Sequence, residues 1–355
     1  MEAHGGNLEA TARRLGCRPD QILDASASLE PFALPRAARR ALRQVDLRAY
    51  PDRSHWRLRH QIARLHDLNP ELVLPGNGAA ELFTWAARDA ASGGQSLLPQ
   101  PGFADYARAL QCWGGQQRPL ALPLEWDAAF PQPFPAVAAA EVLWITNPHN
   151  PTGQLWSRAS LRPLLARYSL VICDEAFLPL VPDGEQQSLI PLVAEHPNLI
   201  VIRSLTKLYG IAGVRLGYAV AQPERLQRWA GWRDPWPINA WAGALADALL
   251  SDPRAYQRWC SRVQAWVMQE GQWLQQRLRA LPGIHPYPSA VNYLLLRAEE
   301  GSLQPLREAL ERRHRILVRD CRSFAGLGES WLRIGYQNRS GNRRLLRALG
   351  AELLQ

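Results

Sequence analysis

Three residues in one short stretch have the types and spacing for covalent chemistry: Ser204, Lys207 and Arg215, in Ser204-Leu-Thr-Lys207-Leu-Tyr-Gly-Ile-Ala-Gly-Val-Arg215. An amine becomes a nucleophile when desolvation or nearby positive charge lowers its pKa, and an apolar surround together with Arg215 supplies both. Lys207 is therefore suited to Schiff-base formation with a carbonyl. A hydroxyl and a guanidinium flanking that lysine make a natural pair for phosphate, so Ser204 and Arg215 read as anion ligands. The competing reading is a surface turn in which both cations are simply solvated.

The elements that must hold these residues are legible around them. Lys207 follows Leu199-Ile-Val-Ile-Arg-Ser204, an apolar, β-branched run that predicts a buried strand. Val142-Leu-Trp-Ile-Thr has the same form and ends in Asn147-Pro-His-Asn150-Pro-Thr-Gly153, while Leu170-Val-Ile-Cys ends in Asp174-Glu-Ala-Phe177. Helical segments separate the strands, one of them spanning Ser160 to Tyr168, and this alternation predicts an α/β chain with a mainly parallel sheet. Ligands on such sheets bind at the strand carboxyl ends, where Asn150, Asp174 and Lys207 all fall. Upstream, Gly76-Asn77-Gly78-Ala79-Ala80 links a short strand to a helix, so the amides of Gly78, Ala79 and Ala80 lie at a positive helix end. No third glycine follows at the spacing of a dinucleotide fingerprint. Phe103, in Pro101-Gly-Phe-Ala-Asp-Tyr106, stands at another strand-to-helix junction, where an aromatic face can cover a flat ring. At the N-terminus His4-Gly5-Gly6-Asn7 allows close backbone approach to an anion, against the plainer reading of a frayed end. A carbonyl, a phosphate and a flat ring in one ligand describe pyridoxal phosphate better than any other cofactor.

Composition narrows the class. A chain of 355 residues, 47% hydrophobic and 21% charged, can bury a large core and predicts two domains. A large domain over 46–255 and a smaller α+β domain built from 1–45 and 256–355 are expected. No apolar run is long enough to span a bilayer and the start lacks a signal-peptide pattern, so a cytoplasmic protein without a membrane partner is expected. The five cysteines are scattered, without a C-x-x-C pair, which argues against a disulfide framework and against a structural metal. The net charge of +9 comes from arginines spread along helical segments. With no recognition motif beside them, they suit a small anionic substrate better than nucleic acid.

Asn150-Pro-Thr-Gly153, Asp174-Glu-Ala-Phe177 and Ser204-Leu-Thr-Lys207 with Arg215 resemble the fold-type I pyridoxal-phosphate enzymes of the aminotransferase class I and II group, over nearly the whole chain. The resemblance implies that Lys207 carries the cofactor, Asp174 pairs with its ring nitrogen, Asn150 donates to its phenolate oxygen and Phe103 lies on its face. It further implies phosphate ligation by Gly78, Ala79, Ala80, Ser204 and Arg215, with Tyr50 reaching in from the second subunit of a homodimer. Arg333 would bind the substrate carboxylate, and Arg319, His4 and Gly5 the far end of a small phosphorylated amino acid. Two activities fit these parts: decarboxylation, and transamination of a phosphorylated amine. A non-catalytic member that keeps the fold for binding or regulation is the third possibility. Two positions depart from the group. Phe177 replaces a frequent tyrosine, and Ser26-Ala-Ser28-Leu-Glu30 replaces an Asn-rich loop that approaches the substrate, so Glu30 is expected to bear on substrate choice.

Overall fold

The computed structural model of the protein describes residues 5–135 and 138–354. Its strands are, in chain order, β1 (Leu23–Ala25), β2 (Val73–Asn77), β3 (Ser96–Gln100), β4 (Gln117–Ala121), β5 (Val142–Thr146) and β6 (Leu170–Asp174). These are followed by β7 (Leu199–Ser204), β8 (Leu216–Val220), β9 (Ile284–Pro286), β10 (Tyr293–Ala298), β11 (Ile316–Asp320) and β12 (Trp331–Gly335).

Seven of them form the large sheet in the order β2-β8-β7-β6-β5-β3-β4. Only β8 runs against its neighbours; the pairs from β7 through β4 are all parallel. Every residue of β5, β6, β7 and β8 is buried, as a sheet covered on both faces requires. Alternation within the strands sends their side chains to two cores. Trp144, Ile172, Ile200 and Ile202 pack with Leu82, Phe83 and Trp229 from the helices Gly78–Gly93 and Pro223–Trp232 on one face. Ile145, Val171, Cys173 and Val201 join the larger core on the other.

The second sheet has the order β1-β11-β12-β10-β9. The N-terminal strand β1 pairs in parallel with β11, while the remaining pairs are antiparallel, so both ends of the chain build one layer. The 26-residue helix Pro253–Leu278 packs against β9 and the C-terminal helix Arg339–Leu353 of this layer. The segment expected as a helix from Ser160 to Tyr168 is instead a short α-turn, Arg158–Leu161, followed by the 3-10 turn Arg162–Ala166. Pro163 lacks the N–H that a continuing α-helix would need there. Strand β8, not anticipated as the antiparallel member, brings Arg215 back beside the end of β2.

Candidate active site

A cavity of about 370 Å³ opens where the carboxyl ends of β5, β6 and β7 meet the second sheet. It is lined by Ala79, Ala80, Phe103, Asn150, Asp174, Ser204, Lys207, Arg215, Arg319 and Arg333 together with Gly5. Those residues come from eight separate stretches of chain, with 204–215 counted as one. Gly78 lies just beneath them, and His4 falls outside the described residues. Tyr50 is not at its own chain's cavity: it is 78% exposed and stacks on Trp236 with ring centroids 4.5 Å apart.

The anion end is built from a helix start that keeps its donors open. Asn77, the N-cap of Gly78–Gly93, makes no side-chain cap hydrogen bond, so the amides of Ala79 and Ala80 face the cavity uncapped. Gly78 adopts φ +72°, and a Cβ built there would collide with the Arg215 guanidinium. Gly217 is equally constrained, since a Cβ on it would sit 2.8 Å from the Ala79 nitrogen and from the Arg203 carbonyl. Arg215 itself holds φ 62°, a left-handed conformation that side chains adopt only when the surroundings impose it. Ser204 caps the short helix Leu205–Tyr209 by accepting from the Thr206 amide at 3.2 Å, which leaves its own hydroxyl proton to donate.

That helix carries Lys207. Burial first, then the nearby charges of Arg333 and Arg215, lower the lysine's pKa to about 8, against the opposing influence of Asp174 and Asp24. Its Nζ lies 5.3 Å from the centre of the Phe177 ring. Across the cavity Asp174 ends β6. Its Oδ1 accepts from the Ala176 amide at 2.9 Å and its Oδ2 from the Tyr106 hydroxyl at 2.6 Å. Burial raises its pKa to about 6 in spite of both donors. A cationic ring nitrogen beside it would reverse that shift, because an opposite charge favours the carboxylate.

The second sheet supplies the cations. Arg319 on β11 and Arg333 on β12 are directly opposed in the antiparallel ladder, so their side chains share one face. Both are buried, at 4% and 6% exposure. Arg333 donates to Asn150 Oδ1 and, at 3.1 Å, to the Ser26 carbonyl, while its Nε has no partner among the described residues. It forms no ion pair among those residues, and burial pulls its pKa down. Arg319 donates to Ser323 Oγ at 2.5 Å and lies over the Phe324 ring. Two like charges facing each other out of water call for an anion between or beside them.

The donor set, the open helix start and the glycines under Arg215 fit a phosphate-bearing cofactor with a ring nitrogen. Tyr106, Tyr293 and Phe324 were not assigned roles from the sequence. Only Tyr106 carried a usable signal, since it follows Phe103 by three positions at the same strand-to-helix junction. The altered loop behaves differently from expectation: Ser26 to Leu29 line the cavity, but Glu30 does not. Its carboxylate turns back to accept from the Phe32 amide and presses on Gly210, because the left-handed Gly210 after the lysine helix leaves room for it.

Residues 21–349 match the family described as aminotransferase class I and II, and the chain belongs to that family of enzymes. Among its curated relatives is the threonine-phosphate decarboxylase of Salmonella typhimurium, 35% identical over 98% of this chain and 95% of that protein. The histidinol-phosphate aminotransferase of Symbiobacterium thermophilum is 34% identical over 89% of this chain and 85% of its own. The fold is shared with histidinol-phosphate aminotransferase from Sinorhizobium meliloti in complex with pyridoxal-5'-phosphate, at TM-score 0.82 and 21% identity over 98% of this chain and 95% of that one.

Proposed function

We propose that the protein is a pyridoxal-phosphate-dependent decarboxylase that converts O-phospho-L-threonine to (R)-1-aminopropan-2-yl phosphate and CO2, as a step of cobalamin biosynthesis in the cytoplasm. The observation that carries this reading is the pair of buried, face-sharing arginines, Arg319 and Arg333, beside Lys207. A substrate with a carboxylate at one end and a phosphate at the other supplies one anion for each. The 35% identity to the Salmonella decarboxylase over 98% of the chain supports the same choice.

Pyridoxal phosphate, when bound, supplies a conjugated cationic ring able to accept the electron pair released as a bond to the substrate Cα breaks. The chain's residues do the rest. Ala79 and Ala80 amides, Ser204 and Arg215 hold the cofactor phosphate, Phe103 covers the ring face, and Asp174 keeps the proton on the ring nitrogen. Arg333 and Asn150 would hold the substrate carboxylate and orient the Cα–carboxylate bond for cleavage. Arg319, with the Gly5 amide, would hold the distal phosphate and fix that orientation. CO2 departs, its bonding pair stays behind, and Lys207 Nζ delivers a proton to Cα. A lysine with a pKa of about 8 is matched to that task near neutral pH.

The active unit is a homodimer in which Tyr50 of a second copy completes the phosphate site. Its 78% exposure, alongside exposed Trp56, Trp241 and Leu47, supports a partner surface there. The relation to histidinol-phosphate aminotransferases, 34% identical in one case, favours transamination as the second reading. Incubation of the loaded enzyme with O-phospho-L-threonine separates the two. The proposal expects stoichiometric CO2 and the amino-alcohol phosphate without any keto acid; turnover that requires a keto acid and releases no CO2 refutes it.

A further inference from the structure

Tyr106 has no part in the roles assigned above, yet its hydroxyl reaches the buried carboxylate of the site. The side chain is 1% exposed and belongs to the helix Asp105–Gln111, which follows β3. Its oxygen lies 2.6 Å from Asp174 Oδ2 and 2.9 Å from Thr146 Oγ1. A carboxylate can only accept, so the tyrosine proton goes to Asp174 and the threonine proton to the tyrosine oxygen. Thr146 ends β5 and is the direct register partner of Asp174 at the end of β6. A single hydroxyl therefore ties β5, β6 and the helix after β3 together immediately behind the carboxylate. The ring of Tyr106 also meets the edge of Phe103, with centroids 5.6 Å apart and planes at 79°, and packs on Phe83 and Trp144.

We propose that Tyr106 is a positioning residue: polarised by Thr146, it locks the rotamer of Asp174 and keeps that carboxylate ionised, while its ring fixes the tilt of Phe103. One side chain then aligns the two contacts that a planar cofactor needs, at its nitrogen and on its face. This rests on reading the cavity as the pyridoxal-phosphate site.

The electrostatics agree with the geometry. Burial raises Asp174 first, and the Tyr106 hydrogen bond is the largest influence against it, ahead of the Ala176 amide. The remaining groups that bear on Asp174 are Glu175, which raises its pKa, and Lys207, which lowers it. Tyr293 faces it from β10. Glu175 is itself held by Arg203, which tempers its effect. No other neutral side chain donates to Asp174 among the described residues. Loss of the tyrosine hydroxyl leaves Oδ2 without its charge-assisted donor in a site from which water is excluded.

The test uses the full chain freed of cofactor and then reloaded. The protonated Asp174 carboxyl is followed across pH by its infrared band, identified by its disappearance in Asp174→Asn. Tyr106→Phe keeps the ring and removes only the hydroxyl. It is expected to raise the apparent pKa of that band by about one unit or more, and to weaken pyridoxal-phosphate binding by roughly 5- to 10-fold. Thr146→Val, which removes the donor to Tyr106 but not its volume, is expected to shift the band in the same direction by a smaller amount, with recovery in Thr146→Ser. A band that titrates as in wild type in both Tyr106→Phe and Thr146→Val overturns the proposal, whatever happens to activity or melting temperature. If the wild-type apoprotein fails to take up pyridoxal phosphate, the cofactor reading fails instead, and the infrared titration still decides the role of Tyr106.

Discussion

Replacing Lys207 by methionine in the cofactor-free protein is expected to stabilise it, and to do so only below a definite pH. The folded protein holds this lysine at about 8 instead of 10.5, because burial and the charges of Arg333 and Arg215 disfavour its protonated form. Between those two values the unfolded chain binds the extra proton and the folded one does not. Stability contributed at this position therefore rises with pH from about 8 to 10.5, and the full penalty is present below 8. At about 1.36 kcal/mol per unit, the penalty is at most about 3.4 kcal/mol. Methionine fills the same volume without the charge. At about 2.1 cal/mol/K per residue for unfolding, a chain of 355 residues converts that penalty into roughly 4–5 °C of melting temperature. Calorimetry of the two apoproteins from pH 6 to 10.5 should show Lys207→Met melting higher by that margin at pH 6–7, with the difference closing toward pH 10.5. Parallel curves over the whole range would refute the claim that the site depresses this lysine.

Four further expectations follow from single contacts. Glu30 is raised to about 7 by burial, so it binds a proton when folded that it releases when unfolded between about 4.5 and 7, and its contribution to stability is lost as pH rises through that window. Glu30→Gln should remove this loss and stabilise the protein above pH 7 by roughly 1–3 kcal/mol, measured by urea unfolding at pH 5 and 8. Arg333→Lys keeps the charge but not the planar fork that meets Asn150 and the Ser26 carbonyl, and should lower kcat/KM by about 100-fold in a CO2-release assay. In Gly217→Ala the new methyl meets two backbone atoms at 2.8 Å, which should pry the Ala79 amide from its place and weaken cofactor binding about 10-fold in a fluorescence titration. Phe177→Tyr adds a hydroxyl to a ring already 5.3 Å from Lys207 Nζ, and should move the visible-absorbance titration of the loaded protein to lower pH; an unmoved titration would show that the ring edge points away from the cofactor.

The large sheet was legible because its buried strands are continuous apolar runs, and the residues at their ends, Asn150, Asp174 and Lys207, are polar where such runs are not. Periodicity and punctuation carry that signal locally. The helix from Ser160 was misjudged because a single proline outweighed a favourable apolar pattern. Other features depend on distant segments and leave no mark in any one of them. Arg319 and Arg333 become neighbours only through the β11–β12 register, and Glu30 finds Gly210 only because the N-terminal loop crosses the lysine helix. Tyr106 looks like an ordinary core aromatic until the ends of β5 and β6 place Thr146 and Asp174 against its hydroxyl.

The same cations that bind anions also set the proton affinity of the lysine, and this couples binding to catalysis. Without ligands, Arg333 and Arg215 press on Lys207 from two sides and favour its neutral, nucleophilic form. A phosphate on Arg215 and a carboxylate on Arg333 cancel those charges, so the lysine's proton affinity climbs back once the anions are in place. Burial alone would shift the lysine by the same amount at every stage; the arginines would make its basicity depend on occupancy. On that reading the fraction of free amine is largest before the anions arrive, and the lysine is more fully an ammonium when Cα needs a proton. If Arg333 holds the substrate carboxylate, departure of CO2 would remove that negative charge and lower the proton affinity of Lys207 as its proton is needed. Under the proposed function, two arginines, one on a large-sheet turn and one on the second sheet, would thus tune a single proton through charges that the ligands bring and take away.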